Sequence, residues 1–212
     1  MPLTALTAMQ SFELMDAKPG QTVFISGGTG SLGAMAIPLA KSLGLTVATN
    51  GNGENEDRVR ALGADIFIDY KKQSYADVLS EVDLVLDTLG DRELPTEFKI
   101  LKEGGHLVSL RGMPNGRFAG RMGLPWYKRF LLSLAGRKYD AMASRKKQTY
   151  DFIFVHEDGA QLESIASLFP AERPLTASID ATFTLDQINE ALAKVRAGGS
   201  QGKTIVRIGD FQ

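Results

Sequence analysis

Residues 22–43 constrain the fold of this chain more than any other stretch. They read Thr-Val-Phe-Ile-Ser, then Gly27-Gly28-Thr29-Gly30-Ser31-Leu32-Gly33, then the helix-forming run Ala-Met-Ala-Ile-Pro-Leu-Ala-Lys-Ser-Leu. A short apolar strand that turns through glycines straight into a helix gathers free backbone N–H groups and the positive end of a helix dipole at one point. Glycines there let the backbone approach a pyrophosphate closely. The loop parses as Gly28-x-Gly30-x-x-Gly33 or as Gly27-x-x-Gly30-x-x-Gly33. Tight strand–helix turns also use glycine for conformation alone. The place of this loop, after the first strand and opening a helix, predicts dinucleotide binding by Gly28, Thr29, Gly30, Ser31, Leu32 and Gly33.

The first half of the chain repeats the same unit. Short apolar runs without polar alternation occupy 23–26, 46–49, 65–69, 84–87 and 106–110, with helical segments at 32–43, 56–62, 75–79 and 93–101 between them. A further helix opens the chain within 4–16, and a sixth strand is expected at 151–155. This alternation predicts an α/β fold, a doubly wound (Rossmann) mostly parallel six-stranded sheet covered on both faces. The dinucleotide-binding domain is expected to span 1–157. A C-terminal helix–strand return segment, 158–212, follows, with a helix at 159–169, an alternating strand at 176–183, a helix at 185–197 and a strand at 203–208. Thr184 and Gln187 have the spacing of a capping box.

Residues 111–147 break the rhythm. They hold ten Lys or Arg residues and one acid, Asp140, and 125–135 read as an amphipathic helix with a cationic side. Three readings of this basic insert stand side by side: a solvated face with a flexible loop, a lid or phosphate clamp over a bound nucleotide, and contact with nucleic acid or another acidic surface.

Composition removes several classes. The 212 residues carry a net charge of −1, which gives no overall pull toward nucleic acid or a membrane surface. With no cysteine, disulfides, thiolate zinc sites and a cysteine nucleophile are excluded. No basic, apolar leader opens the chain and no apolar run approaches a membrane span, so a cytoplasmic location without a membrane partner is expected.

The type of nucleotide is read where the second strand ends. Ala48-Thr49-Asn50-Gly51-Asn52-Gly53 contains no acid to hold the ribose hydroxyls of NAD(H), and its small polar residues leave room for a 2′-phosphate. Asn50, Gly51 and Asn52 are therefore candidate ligands, and Arg58 or Arg60 can supply the charge. NADP(H) is favoured over NAD(H).

These residues resemble the medium-chain dehydrogenase/reductase superfamily, in its zinc-free quinone oxidoreductase and enone reductase branch. The stretches that carry the resemblance are 3–8 (LTALTA), 18–23 (KPGQTV), the glycine loop, 60–65 (RALGAD), 68–70 (IDY), 84–90 (LVLDTLG), 101–105 (LKEGG) and 202–206 (GKTIV). The resemblance implies that Gly30, Ser31, Leu32 and Gly33 hold the pyrophosphate and that Tyr70 lines the adenosine phosphate pocket. It places Thr88, Leu89 and Gly90 beside the nicotinamide ribose, and Ser109, Leu110 and Arg111 where backbone holds the carboxamide. It implies hydride transfer from NADPH to a quinone or α,β-unsaturated carbonyl, no zinc, a small-molecule substrate, and a homodimer paired along 151–155. Asn55 stands where many relatives that use NADP(H) have a lysine, so Arg58 or Arg60 has to compensate.

In that superfamily a GroES-like substrate domain precedes the opening helix and supplies most catalytic groups. This chain begins where that domain would have ended, so weak or absent catalysis is expected of it alone, with the return segment facing a missing partner. A stand-alone nucleotide-binding or sensing module, or a truncated gene product, is the alternative. No catalytic residue is assigned. Asp87 reads as a strand end, and Tyr127 or Lys128 reaches a substrate only if the insert folds over the cleft. The Tyr-x-x-x-Lys of short-chain dehydrogenases is absent, as is a Gly-Lys-Ser/Thr closing the glycine loop. His106 and His156 are isolated and read as strand-end or surface residues.

Overall fold

The computed structural model describes residues 2–170, 175, 178–198 and 202–209. The chain runs α1 (Pro2–Leu14), β1 (Thr22–Ile25), α2 (Gly33–Ser42), β2 (Thr46–Gly51), α3 (Glu56–Ala61), β3 (Ile66–Asp69), α4 (Tyr75–Val78), β4 (Val82–Asp87), α5 (Leu94–Ile100) and β5 (Leu101–Ser109). It continues through α6 (Gly116–Arg121), α7 (Trp126–Ser144), β6 (Thr149–Phe152), α8 (Gly159–Ser167), β7 (Ile179–Thr184), α9 (Ile188–Ala197) and β8 (Lys203–Arg207). Six strands form one parallel sheet in the order β3-β2-β1-β4-β5-β6. The expected doubly wound sheet is present, and its strand order reverses between β1 and β4.

The unbroken apolar character of β1 follows from burial on both faces. Successive side chains point to opposite sides of a strand. Val23 and Ile25 accordingly join the core formed with Phe12, Ile37 and Leu39 on the side of α1 and α2. Phe24 joins Tyr75, Phe98 and Tyr150 on the side of α4, α5 and α7. Three polar residues of α1 go inward and all are paired: the Thr7 and Ser11 hydroxyls donate to the Leu3 and Thr7 carbonyls (2.7 Å each). Gln10 Nε2 donates to the His156 carbonyl (3.0 Å) and Gln10 Oε1 accepts from the His156 N–H (3.1 Å), which ties α1 to the chain leaving β6.

The insert is not the flexible loop that was its first reading. It folds as two helices, α6 and α7, and α7 runs well past the expected 125–135. The reason lies in one buried side chain and two glycines. Asn115 caps α6 by accepting from Phe118 N–H (3.0 Å) and donates to Asp140 (2.7 Å) and to the Tyr150 carbonyl (3.1 Å). The two helices then meet at contacts where one side carries only a glycine. A Cβ at Gly116 would overlap Ser133, and one at Gly136 would lie 2.5 Å from Asn115 Cβ.

The cations of the insert divide at Asp151, which is fully buried in β6. His106 Nε2 (2.9 Å), Arg117 Nε (3.2 Å) and Arg121 all pair with its carboxylate. Burial pushes this carboxyl up, but the hydrogen bonds from His106, Arg121 and Arg117 prevail and hold it below the usual carboxylate range. Arg121 also donates to the Phe152 carbonyl (2.7 Å). The outer edge of β6 is thus occupied at Tyr150 by Asn115 and at Phe152 by Arg121. The strand also lies earlier than expected, ending at Phe152 rather than Val155.

In the return segment β7 and β8 form a separate two-stranded parallel sheet crossed by α9. Residues 176 and 177 of the expected strand lie outside the described residues. Gln187 Oε1 accepts from the Thr184 N–H (3.1 Å), the reciprocal half of the expected capping box.

The glycine crossing makes a direct prediction. Gly136→Ala should destabilise the protein by roughly 1–3 kcal/mol, because its methyl group has no room between α6 and α7. Gly159→Ala, at the start of α8 with nothing within 4 Å of the new methyl, should be close to neutral. Thermal melts of the two variants against the parent chain provide the measurement.

Candidate nucleotide-binding site

The strand order reverses between β1 and β4, the position in doubly wound sheets where the loops after the two strands lead to opposite faces and leave a crevice at the carboxyl ends. The glycine loop lies on one side of it. Gly27 has a φ of 69°, and its N–H donates to Asn50 Oδ1 (2.8 Å), while the Gly28 N–H donates to the Asn50 carbonyl (3.1 Å). A Cβ at Gly28 would overlap the Thr49 side chain, and one at Gly33 would overlap the backbone of Gly28. Gly27, Gly28 and Gly33 are therefore required by the loop's own packing. Gly30 is different: a Cβ there would meet only the Gly27 carbonyl oxygen, at 3.4 Å. Its glycine keeps an otherwise open approach clear. Among the described residues the backbone N–H groups of Ser31, Leu32 and Gly33 have no hydrogen-bond acceptor in the chain. They lie at the start of α2, where donors and dipole favour an anion.

On the adenosine side, the two candidate arginines separate. Arg58 Nη2 donates to the Thr29 carbonyl (2.7 Å), and Nη1 approaches Ser178 Oγ (3.4 Å), so its guanidinium is held against the glycine loop. Its Nε is buried with no partner among the described residues. Arg60 is turned away, bonded to Glu56 (2.8 Å) and to the Asp65 carbonyl (3.1 Å). Asn50 is buried, with its side-chain amide oxygen committed to the Gly27 N–H and its backbone carbonyl to the Gly28 N–H, so it positions the loop. Asn52 caps the turn after β2, its amide donating to Glu54 (2.8 Å). Gly51 lies tight against Thr29 and Phe67, and its carbonyl accepts from the Tyr70 N–H (3.2 Å). The Tyr70 ring is exposed at the end of β3. The reading of residues 50–53 as free of acid missed Asp69, whose carboxylate packs directly on Gly53. N–H groups of Lys71 and Gly53, with Lys72 nearby, hold that carboxyl below the usual range against the upward push of burial. Asp69 comes from β3, and the spacing rule inspects only the end of the second strand.

On the opposite side, Asp87 is more than a strand end. Fully buried, it accepts from the N–H groups of Leu89 and Gly90 (2.8 Å each) through Oδ1 and from Ser109 Oγ (2.5 Å) through Oδ2. Ser109 Oγ in turn accepts from the N–H groups of Gly112 (2.7 Å) and Arg111 (3.2 Å). The Leu110 N–H donates to the Asp87 carbonyl (3.0 Å). Thr88 locks this loop to the glycine loop: its hydroxyl donates to the Ser26 carbonyl (2.7 Å), and its N–H donates to Ser26 Oγ (2.9 Å). Leu89 and Arg111 remain exposed at the rim. Tyr127 and Lys128 lie on the exposed side of α7, whose buried face packs on α5 and β6, so the lid reading gains no support. His106 is held by Asp151, and among the described residues no group of three or more His, Cys, Asp or Glu is placed to hold a metal.

Sequence reasoning also missed Glu97. It belongs to α5 and is completely buried, and neither carboxyl oxygen has a hydrogen-bond partner among the described residues. Burial, reinforced by the neighbouring Asp87 and by Glu93, pushes its carboxyl well above the usual carboxylate range, with the Ser26 hydroxyl acting the other way.

A family model described as zinc-binding dehydrogenase matches residues 62–206. The chain is 30% identical over 213 residues to the trans-enoyl reductase pgmF of Aspergillus terreus, covering 96% of this chain and 56% of that protein. It is 33% identical over 114 residues to the chloroplastic NADPH-dependent alkenal/one oxidoreductase of Arabidopsis thaliana, covering 53% of this chain and 29% of that protein. It superposes on the structure of the quinone oxidoreductase from Coxiella burnetii with a TM-score of 0.80 at 24% identity, covering 99% of this chain and 59% of that one. The chain spans about half the length of the Aspergillus protein, and less of the Arabidopsis one.

Glu97 makes the site's pH behaviour testable. A carboxyl raised in this way holds its proton to higher pH in the fold than in the unfolded chain, which releases it in the ordinary carboxylate range. Above that range the native state therefore binds more protons, and stability falls as pH rises, by at most about 1.4 kcal/mol per pH unit from this one group. Glu97→Gln removes this slope. Melting temperatures of parent and variant should agree best at acid pH, with the variant gaining steadily toward neutrality. Parallel curves would show that the carboxyl is ionised in the fold.

Proposed function

This chain belongs to the zinc-binding dehydrogenase family, and we propose that it forms the NADP(H)-binding half of a reductase of quinones or α,β-unsaturated carbonyl compounds. The observation that carries the reading is Gly30 with its neighbours: one open approach, three backbone N–H groups without acceptors, and Arg58 fixed alongside. The names of the Aspergillus and Arabidopsis relatives support the substrate class, and that of the Arabidopsis enzyme supports the cofactor.

Bound NADPH would supply a hydride from C4 of its nicotinamide ring to the electron-poor carbon of the acceptor. The residues of the chain bind and orient. Ser31, Leu32 and Gly33 N–H groups hold the pyrophosphate. Arg58, through its terminal guanidinium nitrogens, and Tyr70 would flank the adenosine 2′-phosphate. Gly28 and Thr29, with Asn50, Gly51 and Asn52, shape the adenosine side through backbone. Thr88, Leu89 and Gly90 border the nicotinamide ribose, and Ser109, Leu110 and Arg111 offer backbone to the carboxamide. A zinc ion finds no donor set among the described residues, and no step is assigned to one.

Protonation of the reduced product has no owner among these loops, since the Thr88 and Ser109 hydroxyls are both committed internally. The 212-residue polypeptide should therefore bind the cofactor while oxidising it slowly. Titration with NADPH and NADH, followed by calorimetry and thermal shift, should show tighter binding of NADPH. Arg58→Ala should cost NADPH roughly tenfold to a hundredfold in affinity and leave NADH almost unaffected. Tighter binding of NADH would overturn the cofactor assignment, and rapid NADPH oxidation with a quinone would overturn the division of labour.

A further inference from the structure

We propose that the outward face of α7 is a docking surface for an anionic lipid membrane. On this 19-residue helix the residues turned into the protein are Gly136, Tyr139 and Ala143. The opposite side carries Trp126, Tyr127, Phe130, Leu131 and Leu134, which recur at the three- and four-residue spacings of one helix face. Trp126 is 81% exposed, Phe130 and Leu131 60% each, and Leu134 53%. The helix is amphipathic, with its larger apolar face directed to solvent. Scattered exposed apolar residues are ordinary, but a contiguous face of this size marks an interaction surface.

Charge selects the occupant. Lys128 and Arg129 flank this face, Arg137 and Lys138 close it at its C-terminal end with Lys138 Nζ over the Tyr139 ring (5.3 Å), and none of the four forms an ion pair among the described residues. The only acid of the insert, Asp140, is engaged by Asn115. A second copy of the chain would set one group of cations against another, which opposes self-association through this face. A nucleic acid would meet a centre of aromatic and aliphatic side chains, with cations only at the margins. An anionic bilayer satisfies both features: Trp, Tyr, Phe and Leu side chains enter the headgroup boundary while lysine and arginine on either flank meet lipid phosphates. A surface helix of this kind lies along the membrane and does not cross it; no helix among the described residues is long and apolar enough to span one.

Trp126 is the only tryptophan in the chain, so its fluorescence reports on this face alone. With vesicles of equimolar phosphatidylcholine and phosphatidylglycerol the emission should shift to the blue and the protein should sediment with the lipid. Binding to pure phosphatidylcholine should be at least roughly tenfold weaker, and salt should weaken binding to the mixed vesicles. Each cation near an anionic surface contributes roughly a fivefold change, so Arg129→Ala combined with Lys138→Ala should lower partitioning roughly thirtyfold. Phe130→Asp should abolish the shift with its melting temperature unchanged, since the side chain is exposed. The proposal fails if mixed vesicles leave the emission unmoved, or if neutral and anionic vesicles bind equally. It fails as well if the shift appears with protein concentration alone or with an oligonucleotide in place of lipid. The comparison of vesicles on the unmodified chain decides the matter even if a variant does not fold.

Discussion

A buried carboxyl group at the end of β4 holds the two halves of the crevice in register. Asp87 takes the N–H groups of Leu89 and Gly90 on one oxygen and the Ser109 hydroxyl on the other. Ser109 passes that constraint to the backbone of Arg111 and Gly112. Two loops from neighbouring strands are thereby set by one side chain. Thr88 joins them to the glycine loop through Ser26. Leaving any of these buried groups unpaired costs about 1–3 kcal/mol, so the network gives the loops one arrangement with little slack. That rigidity allows backbone groups to act as a binding surface.

The same network explains which parts of the site were legible. Local patterns announced the glycine turn and the alternation of strand and helix, because each depends on residues adjacent in sequence, whereas the loops after β4 and β5 were named only through the family resemblance. Arg58 and Arg60 looked equivalent because they are two residues apart on a short helix. That spacing puts them on different sides, and one meets Thr29 while the other meets Glu56. Asp69 and Glu97 escaped notice for a different reason. Both are acids in ordinary-looking segments, and only tertiary packing puts one against Gly53 and the other out of reach of water. The helix pair of the insert was equally opaque, since it depends on Gly116 and Gly136 meeting Ser133 and Asn115 across a turn.

The insert also shows how a single buried charge reorganises a basic segment. Read by composition, ten cations and one acid suggest a solvated, mobile stretch. In the fold Asp151 withdraws Arg117 and Arg121 from that set and fastens α6 to the sheet edge. The buried acid repays its desolvation through His106 and two guanidinium groups, the geometry a buried charge needs to be tolerated. Once α6 is fixed, the glycine crossing sets the rotation of α7, and that rotation leaves Trp126, Phe130 and Leu134 outward. The apolar exposure of α7 is therefore a consequence of where its glycine lies, since Gly136 must face α6.

The division between side chains that build the crevice and backbone that faces it bears on how such a site changes. Hydroxyls of Thr49, Thr88 and Ser109 are all spent on carbonyls or carboxyls within the protein. What remains toward the crevice is main chain, which substitution alters only through conformation, and a few rim residues such as Arg58, Tyr70 and Leu89. In the proposed nucleotide-binding reading, selectivity rests on those few side chains, because N–H groups at a helix start attract any phosphate alike. Arg58 is the only cation fastened directly to the glycine loop among the described residues. It is fixed by the Thr29 carbonyl before any ligand arrives, so its ordering cost is already met within the fold, and each new hydrogen bond to a phosphate counts nearly in full toward affinity.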